Sequence, residues 1–156
     1  MNPVTAAQIA ILLADAKASP RRRAHLLLHA GHDDQVQRLL IALEPGSYVR
    51  PHQHSQQWEM LVLNRGRLDM LAFDEDGILL ARHRLDPSNP VIQIPVGTWH
   101  AGLAQESGTV VMEVKPGPYR PNEFADWAPE ENTPAAAQLV HWLEAAPAGS
   151  RWAPAG

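Results

Sequence analysis

His52 and His54, two residues apart and followed by Glu59, lie between Gly46 and Gly66 in the stretch of this 156-residue chain best equipped for chemistry. Alternate residues of a strand share a face with their Cα atoms ~7 Å apart, so two imidazoles can approach one ion from adjacent positions. A lone His-x-His among eight histidines is more commonly the mark of an exposed strand. The signal strengthens with the closed spacing Gly46-x5-His52-x-His54-x4-Glu59-x6-Gly66 and with Pro95-x-Gly97-x-x-His100 further on. A hairpin turning at Ser55-Gln56-Gln57 would bring Glu59 alongside the imidazoles, and a tight turn at Pro95 and Gly97 would aim His100 into the same space. Three imidazoles and a carboxylate suit a borderline divalent ion such as Fe, Ni, Mn, Co or Zn, and not Ca or Mg, which favour oxygen shells. Four protein ligands leave open positions on an octahedral ion. A metal-free barrel that keeps His52, His54, Glu59 and His100 as a polar network is the alternative.

Strand parity extends the reading. If Tyr48 to His54 is one unbroken strand, Tyr48 and Arg50 share the inward face with the histidines and are candidate substrate-binding residues. A divalent ion with one carboxylate ligand keeps positive charge, and an inward Arg50 adds to it, so the expected ligand is an anion, carboxylate or phosphate. The competing role for Arg50 is to pair with a buried carboxylate such as Glu113. Glu113 and Lys115 share one face of a late strand, as a proton shuttle or as a pair that merely satisfies itself. His25 and His29 share a face and could line a cavity mouth or simply lie at the surface. Tyr119 and Trp127 are expected to pack an exit loop.

The elements that must position these groups are mostly short strands. Apolar-rich runs fall at 24–29, 35–43, 48–54, 59–63, 67–73, 78–85, 91–94, 99–104 and 109–115, separated by Gly, Pro, Asn and Asp clusters such as Asp74-Glu75-Asp76-Gly77. The 35–43 run could instead be a short helix. That punctuation points to an all-β sandwich or barrel, with no room for crossover helices. Thr5-Ala-Ala-Gln8 reads as a capping box ahead of Ile9, Leu12, Leu13 and Ala16, a helix that stops before Ser19-Pro20 and covers the body. Thr133-Pro134 starts a second helix with Leu139, Trp142 and Leu143 as its packing face. The Ala/Pro/Gly-rich 145–156 tail is expected to be loose. Domain boundaries follow as a covering helix at 1–20, a barrel with its exit loop at 21–131, and a helix with a tail at 132–156, all within one domain.

The net charge of −4 argues against nucleic acid as a partner, and Arg21-Arg22-Arg23 reads as a solvated turn. The absence of cysteine excludes thiolate sites and leaves nitrogen and oxygen as metal donors. No stretch reads as a membrane anchor or signal peptide, so a soluble cytoplasmic protein is expected. Trp58 and Met60 point away from Glu59 while Leu61 and Leu63 point with it. Both faces of that strand then need cover, which leads us to expect a homodimer.

The two spaced motifs resemble those of the cupin superfamily in order and separation. The second is partial, with Asn89 and Ala104 where the family pattern has glycine and asparagine. A narrower resemblance, over roughly 21–131, is to WbuC-type cupin-fold metalloproteins. It rests on Val36-Gln37-Arg38, Pro45-Gly46-Ser47-Tyr48-Val49-Arg50-Pro51-His52, Glu113-Val114-Lys115-x-Gly-Pro-Tyr119 and Phe124-Ala125-x-Trp127-Ala128-Pro129-Glu130, with Gln53 replacing a basic residue. The resemblance implies a double-stranded β-helix, a jelly-roll barrel with the metal inside. It also implies work on sugar-like or anionic small molecules in surface polysaccharide (O-antigen) biosynthesis. A metal-dependent enzyme, a non-catalytic metabolite binder and a structural metalloprotein all fit that pattern.

Overall fold

The computed structural model describes residues 1–153. Ten strands form two five-stranded antiparallel sheets: β1 (Arg23–Leu27), β2 (Val36–Leu43), β3 (His52–Gln53), β4 (Glu59–Arg65), β5 (Leu68–Phe73), β6 (Leu79–Leu85), β7 (Val91–Ile94), β8 (Trp99–Ala104), β9 (Thr109–Pro116) and β10 (Glu123–Phe124). The orders are β1-β2-β9-β4-β7 and β10-β3-β8-β5-β6, so apart from the β1–β2 and β5–β6 pairs consecutive strands cross between sheets, in the jelly-roll manner of the expected double-stranded β-helix. Two helices flank them, α1 (Ala6–Ala18) and α2 (Pro134–Ala145). The 35–43 run is a strand and not a helix: it pairs with β1 on one side and β9 on the other.

Three apolar clusters hold the layers. Between the sheets lie Leu43, Leu61, Leu63, Leu68, Met70 and Val111. Outside the first sheet, Leu12 and Ala16 of α1 cover Leu40, Ala42 and Val110. Outside the second, Leu139 and Leu143 of α2 cover Leu71, Phe73 and Leu79. This explains why β5 is apolar along nearly its whole length. Leu68 and Met70 face the interior while Leu71 and Phe73 face α2. The outward Asp69 is 1% exposed and satisfied by Arg82 and Arg84, and Arg82 also donates to the Leu143 and Ala146 carbonyls, tying α2 to the sheet.

Both caps form as the sequence indicates, the Thr5/Gln8 capping box and the Thr133 side chain accepting from the Ala136 amide. The tail differs from expectation. Ala146 is buried, Gly149 N–H donates to Leu79 O, Leu79 N–H donates to Ser150 O, and Trp152 packs on the α2 cluster. The described part of 145–156 is thus a tied edge, because Leu79 and Ile78 offer it backbone partners; residues 154–156 lie outside the described residues. Trp58 is 38% exposed and Met60 and Val62 are half-buried on the outer face of β4, whereas α1 lies over β1 and β2. Among the described residues no helix is long and apolar enough to cross a membrane.

Gly66 joins β4 to β5 with φ of +81°, and an added Cβ would sit 2.5 Å from Thr109 Oγ1 and 2.8 Å from Thr109 Cα. A side chain there meets backbone as well as the left-handed conformation. Gly66→Ala should cost about 2–3 kcal/mol. Urea unfolding checks this, and an unchanged midpoint would contradict the stated contact with Thr109.

Candidate metal centre and its cavity

The segment leading to the histidines is not one strand. Residues 48–51 lie outside any strand, and β3 holds only His52 and Gln53. The parity that placed Tyr48 inward therefore does not apply. Tyr48 is buried in the α2-side cluster, its hydroxyl donating to Pro129 O, and it does not line the cavity described below. Arg50 does line it. Its Nε donates to Ala128 O and its guanidinium carbon lies 4.9 Å from the Phe124 ring centre. The pairing of Arg50 with Glu113 is not found, because Glu113 is held by Lys115 at 2.8 Å.

His52, His54, Glu59 and His100 come together. Each offers one ligating atom, and these atoms lie within 4.8 Å of one another, all four residues buried. Their convergence follows from pairing. His52 sits directly opposite His100 across β3 and β8. The Pro95–Thr98 turn is fastened to the same place by Gly97 N–H donating to His54 O, with Gly97 at φ +72°. Glu59 opens β4, the strand returning after the 55–58 turn.

The hydrogen bonds around the imidazoles fit an ion at the centre. His52 Nδ1 donates to Arg50 O and His100 Nδ1 donates to Thr98 O, both at 2.8 Å. Each bond fixes a tautomer in which Nε2 carries the lone pair. His100 Nε2 is buried without a partner, 3.9 Å from Glu59 Oε2. His54 Nε2 lies 2.7 Å from Glu59 Oε2, while its Nδ1 is buried without a partner. Buried polar atoms are rarely left unpaired, so two orphaned imidazole nitrogens in one four-residue cluster mark a place for a cation. Nitrogen and carboxylate donors in this ratio suit a transition ion. The cluster could hold one.

Electrostatics agree. Burial alone would raise the Glu59 carboxyl, but the hydrogen bond from His54, with His100 and Lys115 close by, holds it down at about 2. Burial pushes His52 down to about 3, with His100 adding to the effect, and burial also lowers His100. The site therefore presents neutral His52 and His100 imidazoles and an ionised carboxylate, the forms that bind metal.

His52, Glu59 and His100 open onto a cavity of about 630 Å³ between the sheets. Its wall includes groups that the sequence left unassigned. Lys115 and Glu113, both buried, face inward; extending the β4–β9 register by one residue places Lys115 opposite Glu59. Burial would lower the Lys115 ammonium, yet Glu113 and Glu59 hold its pKa above the ordinary lysine value. The solvated turn forms at Arg21 and Arg22, which are exposed just after α1, but Arg23 is the first residue of β1 and its side chain is mostly covered. Arg21 and Arg23 both line the cavity and pair with Glu131, and Arg23 also donates to Tyr48 O. The signal available was the alternation Arg23-x-His25 at the start of β1; His25 lines the cavity while His29 Nδ1 accepts from the Arg38 amide. Tyr119 stacks on His32 and borders the cavity with Phe124 of β10, a strand the sequence did not suggest; Trp127 packs on Phe73.

For metal-free protein the sign of the pH effect follows from His52. Its folded pKa of about 3 lies below the unfolded 6.5, so the unfolded chain takes up the proton first. This part of the stability is intact above pH 6.5 and declines by roughly 1.4 kcal/mol per pH unit below it, until pH nears 3. Glu59 acts in the same sense only below its ordinary 4.5, toward 2. Chelator-treated protein should therefore melt progressively lower from pH 7 to pH 4, with His52→Gln flattening the slope. A flat profile for the unsubstituted protein would contradict the buried neutral imidazole.

Among solved structures, the chain is similar in fold to KdgF from Halomonas sp., with 19% identity, TM-score 0.52, and coverage of 65% of this chain and 84% of that one. A cupin 2 domain-containing protein from Halorhodospira halophila aligns at 14% identity and TM-score 0.54, covering 78% and 80%. The DMSP lyase DddQ from Ruegeria pomeroyi DSS-3 aligns at 18% and 0.55 over 70% of this chain, which spans only 54% of that protein. At these identities the likeness establishes the cupin fold and no activity. No curated protein matches the chain. A family model described as "Domain of unknown function (DUF6016)" matches residues 4–85, just over half of the sequence, and the chain belongs to that family.

Proposed function

We propose that the protein is a metal-binding cupin that takes a small anionic or sugar-like metabolite at an ion held by His52, His54, Glu59 and His100. The observation carrying this reading is the pair of orphaned nitrogens, His54 Nδ1 and His100 Nε2, in a buried cluster where His52 Nδ1 and His100 Nδ1 are anchored on backbone carbonyls and His54 Nε2 on Glu59. A bound divalent transition ion would supply a Lewis acid that polarises a ligand oxygen. This chain's own residues do the rest. His52 and His100 are held in one tautomer by Arg50 O and Thr98 O. Arg50 presents its guanidinium from a fixed Nε bond to Ala128 O, as a clamp for a carboxylate or phosphate. Lys115 places an ammonium on the same wall. Tyr48 braces the segment before the histidines through Pro129 O.

The cavity beside the cluster favours a ligand-binding or catalytic role over a purely structural ion, since three of the four residues line it. The WbuC-type resemblance supports a setting in surface polysaccharide biosynthesis, and the half-buried outer face of β4 with Trp58 supports a homodimer. A cysteine-free chain suits a cytoplasmic location.

Elemental analysis of the purified chain should find about one transition ion per protomer, and chelation should lower the melting temperature by about 10 °C. His54→Ala should lose the ion. Purified protein that takes up none of Fe, Ni, Mn, Co or Zn, and melts identically with and without chelator, would refute the reading.

A further inference from the structure

The cavity wall changes character along its length in both sheets. On β9 the inward residues run Lys115, Glu113, Val111. On β4 they run Glu59, Leu61, Leu63, with Leu61 opposite Glu113 and Leu63 opposite Val111. On β2, Leu39 faces Glu113's row and Ile41 faces Val111's. The second sheet follows the same direction. His100 lies opposite His52, and two residues on, Gly102 lies opposite Met70. From Lys115 to Val111 the strand advances about 13 Å, over which a polar head region passes into an apolar one.

Two further observations fix the ligand's polarity. The cation near the head with no ion pair among the described residues is Arg50, and it lies on the side of the histidines, its guanidinium 4.9 Å and the His52 ring 6.4 Å from the Phe124 ring centre; Lys115, on the same side, is already paired with Glu113. At the other end Arg23 sits opposite Leu43, and both it and Arg21 are already paired with Glu131, Arg23 donating to Tyr48 O as well. Hydroxyl-rich ligands need donors and acceptors along their whole length. Among the described residues, the uncharged side chains outside the metal cluster that offer them on this wall are Tyr119, Asn122 and the His25 imidazole, while the end away from the histidines includes Ile41, Leu43, Met70 and Val111, with Leu39 and Leu61 between. A sugar ring placed there would leave hydroxyls unpaired against methyl groups.

We infer that the site selects a carboxylic acid with an apolar body of about four carbons, its carboxylate at the histidine cluster and Arg50, and its hydrocarbon against the Val111–Met70 region. This deepens the proposed function and rests on it, choosing the acid over the sugar. Each methylene buried there is worth roughly fourfold in affinity.

The test titrates the full chain, loaded with Co(II), by calorimetry with three acids sharing a similar head: glycolate, 2-hydroxy-4-methylpentanoate and glucuronate. The aliphatic acid should bind at least about tenfold more tightly than either of the others. Val111→Thr, checked for an unchanged melting curve, should weaken the aliphatic acid about threefold or more and leave glycolate as it was. Glucuronate binding as tightly as the aliphatic acid, or glycolate doing so, or Val111→Thr weakening both acids alike, would overturn the inference while leaving the anion site standing. Failure of all three acids to bind the loaded protein would overturn the inference and the anion site but not the metal centre, whereas failure of Co(II) to load would overturn both readings together.

Discussion

A carboxylate buried among three imidazoles is the constraint around which this molecule is arranged. Glu59 is 4% exposed. An ion so far from water needs compensation, and it is obtained here from one hydrogen bond to His54 and from the proximity of His100 and Lys115. Each compensating group must in turn be held. His100 and His52 are fixed by carbonyls of the residues two before them, and Lys115 is fixed by Glu113. The antiparallel pairing of β3 with β8 and of β4 with β9 brings these groups to one point.

The rest of the fold isolates that point. Both sheets bury their outer faces under a helix for much of their length, so the interior can be given over to a cavity without starving the protein of apolar contact. Leu12 and Ala16 do this on one side, Leu139 and Leu143 on the other. Arg82, bridging Asp69 to the end of α2, fixes the second cover with charge as well as with packing.

Much of this was legible in the sequence because it depends on local spacing. The capping box, the Thr133 cap, strands 91–94 and 99–104, and the four clustered residues follow from period and turn chemistry, which act over a few residues. What was not legible depends on tertiary partners. Tyr48 lost its expected place because 48–51 leaves strand geometry to reach Pro129, a partner 81 positions away. Arg23 looked solvated like its neighbours because its partner Glu131 is more than a hundred residues distant. β10 exists only because Glu123 and Phe124 pair with Gln53 and His52, and two residues carry no periodicity of their own. The tail gained order from backbone groups of Leu79, which composition cannot reveal.

The central claim is that His52, His54, Glu59 and His100 surround one ion. Metal-edge X-ray absorption on the protein loaded with a single transition metal reads that shell directly. The account predicts three imidazole nitrogens and at least one oxygen at about 2.0–2.2 Å, falling to two imidazoles in His100→Ala. A shell of oxygen alone, or one indifferent to loss of His100, would contradict it.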